Sequence, residues 1–349
     1  MRSEGDWAVR LELGGWLRTL SRTAGRVGVI VAVLVVLAGL VSACGSSSDS
    51  ASSSGSETAA ADGVTISHKF GETVVPPNPS RVVTVGWTDQ DFVLPFGVVP
   101  VSSREFFEEY NDYPWVQAAT GGKPIPTWGA DEIDFEAIAA EKPDVIFAIY
   151  ESIDQETYDR LSQIAPTVIQ SGDYADEETP WDVQLETTGK ALGKEDQAKE
   201  LVEKVQARID EAKSANPEFE GKTLVVDFGP ESGGHWLLPE NDPRRSLFSA
   251  LGFATQDVEG DVSEEKLEEL NKDVLFVNGA TKEQMLASPA FARLPVVTED
   301  RTLYTTFESN LSGALTYSGP DALLYALDIL TPQLSNALNG RPVADLANA

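Results

Sequence analysis

The chain has one cysteine, two histidines and fewer than half as many cations as acids, 26 Lys and Arg against 56 Asp and Glu in 349 residues. Each shortage excludes something. With Cys44 alone, no disulfide can close within the chain. With His68 and His235 the only imidazoles, three or four His and Cys ligands for a bare transition metal cannot be assembled. A formal charge of −30 argues against nucleic acid, whose phosphates need basic patches. It leaves an anionic small ligand open, because a few local arginines outweigh a global field at short range. No glycine-rich phosphate loop, G-x-S-x-G elbow or H-E-x-x-H motif occurs. Acid pairs such as Asp131/Glu132 and Glu108/Glu109 mean little in a chain this acidic. A Ser-His-Asp arrangement would have to pass through His235, which no nucleophile signature accompanies, so no catalysis is expected.

One apolar run stands out, the fourteen residues from Val27 to Leu40. That is shorter than the roughly twenty residues of a membrane span and suits a signal-peptide core, with Arg18, Arg22 and Arg26 ahead of it. The following Val41-Ser42-Ala43-Cys44-Gly45 resembles a lipobox, which implies cleavage before Cys44 and acylation of that residue. Residues 1–43 carry a net +2, so the remainder carries −32. Residues 44–62 are rich in Ser, Ala and Gly without periodicity and read as a flexible tether. Lipid, tether and then body place the body on the outer face of the cytoplasmic membrane.

The body alternates strand and helix patterns. Strands are expected at Arg81–Gly86, Val98–Ser102, Asp144–Tyr150 and Thr167–Gln170, and again at Thr223–Phe228, Asp273–Val277 and Thr302–Thr306. Helical patterns fall between them, closing with Asp321–Leu334, which argues α/β with mainly parallel sheets. Between the two groups lies Trp181–Ala215. Its positions Leu185, Thr188 and Leu192 step at three and four, and Ala198, Leu201, Val205, Ile209 and Ala212 then do the same, the spacing of one buried stripe on the helical period. Gly193 is expected to interrupt it, Asp196 to cap its second part and Asn216-Pro217 to end it. An echo flanks this spine: Glu136 to Phe147 aligns with Glu265 to Phe276, each an acid, an apolar helix face, an Asp eight residues on (Asp144, Asp273) and a buried strand.

In open α/β sheets ligands bind beyond the carboxyl ends of the strands. There the sequence places Trp87, Arg104, Tyr150, Glu151, Phe228, His235, Trp236, Asn278 and Phe307, with Trp115 and Trp128 on the long connection from Ser103 to Gly129. Aromatic surface at loop positions suits a flat or bulky ligand, and arginine adds charge and forked hydrogen bonds.

The stretches 78–101 (NPSRVVTVGWTDQDFVLPFGVVPV), 133–148 (IDFEAIAAEKPDVIFA), 161–168 (LSQIAPTV), 180–202 and 242–253 (DPRRSLFSALGF) resemble the substrate-binding lipoproteins of ABC importers for ferric siderophores, haem and cobalamin. The resemblance implies an α/β class III periplasmic-binding fold, two Rossmann-like lobes joined by one long backbone helix. The lobes would be 63–180 and 217–339, with the helix region at 181–216 and a tail at 340–349. Carried over by position, Arg104, Trp128 and Tyr150 would touch ligand from the first lobe, and Phe228 and Arg244 from the second. Glu136 and Glu265 would dock into the two halves of a permease dimer that works with its ATPase. The implied ligand is an iron(III)-siderophore chelate, with no further cofactor, no direct metal ligand and a monomeric protein. Cobalamin or haem is the alternative within the family; a membrane-anchored hydrolase or adhesion lipoprotein is the alternative outside it. One departure is visible: no arginine lies in 305–317, where some relatives carry one, which shifts the charge onto Arg104, Arg244 and Arg245.

Overall fold

The computed structural model describes residues 63–129, 132–231 and 234–349; the expected signal segment, Cys44 and the whole of the expected tether lie outside them. A hairpin of β1 (Val64–His68) and β2 (Gly71–Val75) precedes the first sheet. That sheet contains β3 (Val82–Thr84), β4 (Ser102–Ser103), β5 (Val145–Ala148) and β6 (Thr167–Ile169) in the order β4-β3-β5-β6, parallel throughout. All of its residues are buried, which is why β3, β5 and β6 read as short unbroken apolar or β-branched runs rather than alternating ones, while β4 is a pair of serines. The second sheet contains β7 (Thr223–Glu231), β8 (Gly234–Leu237), β9 (Ala254–Thr255), β10 (Gly260–Ser263), β11 (Val274–Asn278) and β12 (Thr302–Thr305). Its order is β10-β8-β7-β11-β12, with β9 also beside β7. It is parallel around β7, β11 and β12 and antiparallel at β8 and β10, two short strands that strand patterning does not reveal.

Helices α1 (Asp89–Val93), α2 (Pro114–Thr120), α3 (Phe135–Ala140) and α4 (Gln155–Ser162) belong to the first half. The spine is α5 (Trp181–Ala191) followed by α6 (Glu195–Ala215). Helices α7 (Ser246–Ala250), α8 (Lys282–Leu286), α9 (Pro295–Thr298), α10 (Asn310–Tyr317) and α11 (Pro320–Leu338) complete the second half. Gly193 does break the spine, at φ +68°, a backbone region in which a side chain is strained. Asp196 is not the cap: α6 starts at Glu195 and Lys194 offers no side-chain bond, so Asp196 sits in the first turn, where a carboxylate favours the helix dipole.

The single stripe serves two cores. Leu185, Ala191, Leu192 and Ala198 pack with Val82, Phe92, Val145 and Phe147 under the first sheet. About two to four turns on, Val205, Ile209 and Ala212 pack with Leu224, Val226 and Phe276 under the second. Burying each such Val or Ile stabilises the fold by about 1.5–3 kcal/mol relative to leaving it in water. The fold is therefore two α/β lobes on one helical spine. The echo on the spine's flanks is structural too. Asp144 accepts from the backbone N–H of Ser80 and Arg81 at 2.8 and 2.9 Å, tying the start of β3 to that of β5. Asp273 accepts from Thr223 N at 2.9 Å and does the same for β7 and β11.

Two boundaries differ from the sequence reading. The connection at 103–129 does not stay within its lobe: Tyr110, Tyr113, Trp115 and Val116 join the core cluster of the second half, against Leu315, Tyr317, Ala322 and Leu323. The spine is thus one of two joints. Residues 340–349, expected as a tail, pack back onto the second half. Leu346 is buried, Thr305 and Thr306 donate to the carbonyls of Leu346 and Ala347 (2.9 Å each), and Leu311 N donates to Ala349 O at 2.8 Å. No helix among the described residues is long and apolar enough to cross a membrane.

Candidate functional site

At the carboxyl ends of the first sheet, three loops converge. The loop after β3 is held by Asp89, whose buried carboxylate accepts from Gly86 N (3.1 Å), Ile149 N (3.0 Å) and Tyr150 N (3.1 Å). Burial drives this carboxyl up to about 6, with the three N–H groups pulling the other way. The result fixes Trp87 beside Tyr150, whose carbonyl accepts from Trp87 N at 3.0 Å. Arg104 follows β4, and a bridge between Ser103 and Thr127 brings Trp128 alongside. The Arg104 guanidinium lies 3.3 Å from the Trp87 ring centre and 5.9 Å from that of Trp128, a cation between aromatic faces. It pairs with Glu151, which follows β5. Burial raises the Glu151 carboxyl to about 7, Arg104 pulling it back and Glu177 and Asp89 pushing it further up. Phe106 completes the cluster, 5.1 Å from Trp87.

The second sheet builds a matching group. A bulge in β7 between Asp227 and Pro230 places Phe228, whose ring meets Trp236 at 5.4 Å and Phe307 at 5.9 Å. Arg244 stands over Phe228 at 5.0 Å. Its Nε and Nη2 donate to Asp242 at 2.8 and 2.6 Å, a side-on fork. Burial works against this cation, but Asp242 outweighs it and holds the guanidinium above its ordinary range. Burial lifts the Tyr150 phenol well above its usual range, and Asp242 of the other lobe adds to the lift.

Of the sequence candidates, Trp87, Arg104, Trp128 and Tyr150 form the first cluster, and Phe228, Trp236, Arg244 and Phe307 the second. Three do not stand with them. Trp115 is a joint residue: it is buried, stacks on Tyr113 at 4.8 Å, and its Nε1 donates to Asp91 at 2.8 Å. His235 neighbours Trp236 on β8, and the two-residue period turns it to the opposite face. There its Nδ1 meets Asp227 at 2.7 Å, and it stacks on Phe291; although burial opposes the charge, Asp227 raises its pKa overall. Asn278 is buried at the end of β11, and its Oδ1 has no partner among the described residues. Arg245, given weight beside Arg244, points into the structure instead. It is 1% exposed, donates to Leu224 O at 2.6 Å, and burial lowers its pKa to about 10. The stretch 305–317 is no open loop: most of it is α10, whose residues from Leu311 to Tyr317 are all buried.

Sequence reasoning named Glu151 only by its place and passed over Asp242 and Phe106. Position after a strand marked Glu151, and the Asp-Pro-Arg run marked Asp242, but acids are too common here to single out. Glu136 and Glu265 are exposed on separate lobes, with no ion pair among the described residues. Trp128 also lines an open pocket of about 440 Å³ with Glu136 and Arg160, so one ring borders both the cluster and the helix start that carries Glu136. Among the described residues no three His, Cys, Asp or Glu side chains gather as a metal site.

Residues 101–308 match the family described as periplasmic binding protein. A periplasmic solute binding protein of Mycobacterium smegmatis has a similar structure, at 32% identity and a TM-score of 0.73, covering 79% of this chain and 99% of that one. The iron-uptake protein PiaA of Streptococcus pneumoniae, solved in complex with ferrichrome, is 25% identical with a TM-score of 0.66, over 80% of this chain and 99% of that one. In sequence, the Fe(3+)-citrate-binding protein YfmC of Bacillus subtilis is 28% identical over 257 residues, 71% of this chain and 78% of that protein.

Proposed function

This chain belongs to the periplasmic binding protein family, and from that premise we propose that it captures a ferric-siderophore chelate between its two lobes and delivers it to an ABC permease. The observation that carries the reading is the pair of clusters at the carboxyl ends of the two sheets, each one arginine set among aromatic rings. Aromatic faces and guanidinium forks suit the organic shell of a chelate, so the iron arrives already coordinated and no bond is made or broken by the protein. Relatives whose names refer to ferric citrate and ferric hydroxamates support this cargo. Acylation at Cys44 would hold the protein at the outer face of the membrane, and the residues up to 62 would let the body reach the permease. Glu136 and Glu265, exposed on opposite lobes, would meet one half each of a permease dimer.

Titration of tryptophan fluorescence with ferric siderophores, cobalamin and haem tests the cargo. Quenching by a ferric siderophore is expected, and its loss in part in Trp87→Phe and Trp236→Phe. Absence of binding to every chelate by folded protein would end the transport reading. Glu136→Lys with Glu265→Lys should abolish uptake and leave affinity unchanged; a collapse of affinity would make these acids structural.

A further inference from the structure

We propose that this protein selects ferric chelates of low charge, a neutral trihydroxamate over a trianionic tricatecholate, because Glu151 and Asp242 cancel the charge of the two arginines that face the cargo. The inference rests on the solute-binding reading and adds the chelate class and two specificity-determining residues. Three singly charged hydroxamates leave a ferric complex neutral; three doubly charged catecholates leave it a trianion.

Above about pH 7, where Glu151 is ionised, both arginines of the site are already balanced. Arg104, 4% exposed, pairs with Glu151, which the end of β5 delivers from 47 residues away in sequence. Arg244 is gripped by Asp242 through two nitrogens at 2.8 and 2.6 Å. Further acids stand close: Glu177 acts on Tyr150, Glu151 and Arg244, and Asp89 acts on Glu151. Two guanidinium groups therefore face at least as many carboxylates, inside a chain of formal charge −30. A trianion entering such a site would give up its water and find no uncompensated cation, the costly way to bury charge. A neutral chelate meets no such penalty. Its apolar edges fit the faces of Trp87, Phe228 and Trp236, and its oxygens suit the guanidinium N–H donors. A guanidinium carries five, of which Asp242 engages those on Nε and Nη2 of Arg244. The carboxylates thus convert two anion-binding cations into oriented hydrogen-bond donors.

The test compares ferrichrome, the ferric complex of a tris-catecholamide and ferric citrate by calorimetry at about pH 8, where Glu151 is ionised, on the wild type, Glu151→Gln and Asp242→Asn. Ferrichrome should bind the wild type at least about tenfold more tightly than the tricatecholate. Each variant frees one positive charge and should narrow that gap by about tenfold, chiefly through tighter binding of the anions. The two variants lie on different lobes and are nearly isosteric; circular dichroism checks folding, and either one suffices. Equal or tighter binding of the tricatecholate by the wild type overturns the proposal while leaving the solute-binding reading intact. So does a preference for ferrichrome that persists unchanged in the variants, which would assign it to shape. Failure of the folded protein to bind any of the three would overturn the solute-binding reading itself.

Discussion

The two lobes start their sheets the same way and hold their arginines differently. In both, an aspartate eight residues after an exposed glutamate ties the first strand to its parallel neighbour, Asp144 for β3 and β5, Asp273 for β7 and β11. The ion pairs above those sheets have no such symmetry. Arg104 and Glu151 come together only because β4 and β5 flank β3. Arg244 and Asp242 are two residues apart on one short turn, where Asp242 also accepts from Arg244 N at 3.0 Å. The first pair depends on the whole sheet and the second on three residues. A shared scaffold can therefore carry a matched charge pair by a long-range route in one lobe and a local one in the other.

The sharpest way to break this arrangement is at the joint, where an acid of the first lobe closes a helix of the second half. Asp91 of α1 accepts from Tyr110 OH (3.0 Å), Trp115 Nε1 (2.8 Å) and Gly319 N (3.0 Å), the last capping α11. A Cβ on Gly319 would come within 2.4 Å of this carboxylate, so the contact also requires glycine there. Asp91→Ala leaves three buried donors without an acceptor and should cost on the order of 3 kcal/mol or more in urea unfolding. The same residue predicts a pH dependence. Burial raises its carboxyl to about 6 from 3.8, hydrogen bonds from Trp115 and Tyr110 opposing the rise. Between those values the folded state binds more protons than the unfolded one, so this group's contribution is full below 3.8 and is lost as pH rises through about 6. In Asp91→Asn the fall in stability from pH 4 to 7 should be shallower than in the wild type. A steeper fall would contradict the assignment.

The scaffold was far more legible in the sequence than the site. The spine's stripe emerged because α6 has a solvated face, so Val205, Ile209 and Ala212 recur against Lys and Glu. Helix α10 was missed for the opposite reason: LSGALTY, from Leu311 on, is buried all round and has no period to find, and the cap that starts the helix, Ser309 accepting from Ser312 N, is one serine among many. Aromatic positions after strands were found correctly as to place but not direction. Trp236 and His235 are adjacent in sequence, and only the strand's register separates them onto opposite faces. Trp115 was indistinguishable from Trp128 because the path of the long connection from Ser103 to Gly129 depends on contacts more than 200 residues away, such as Phe107 N to Tyr317 OH at 3.3 Å. The balancing carboxylates were hidden by number in a chain with 56 acids.

Of the echoed aspartates, Asp144 should matter more. It accepts from Ser80 N, Ser80 Oγ and Arg81 N, and these bonds hold its carboxyl below the usual range. Asp273 accepts one backbone N–H and faces Lys222 at 3.2 Å. Asp144→Ala should cost about 1–2 kcal/mol and Asp273→Ala about half that, read from urea midpoints. Because the Asp144 pKa is depressed, its contribution is present above its unfolded value and fades as pH falls through the folded one, opposite in sign to Asp91. Equal losses would mean that the two lobes lean on their echo alike.

The smallest expected effect concerns the glutamates that open each echo. Glu136 lies in the first turn of α3, whose cap Asp134 accepts from Glu136 N at 3.1 Å and Ala137 N at 2.9 Å. Glu265 lies in a 3-10 turn, Glu264–Leu270, broken by non-helical backbone at Lys266, so fewer aligned peptide dipoles favour its charge. Glu136→Gln should therefore lower the thermal midpoint by no more than about 2 °C, and Glu265→Gln by less. Scanning calorimetry of both variants checks this. A drop of 5 °C or more in either, beyond what a first-turn acid supplies, would make that glutamate part of its lobe's stability and weaken its claim to a docking role.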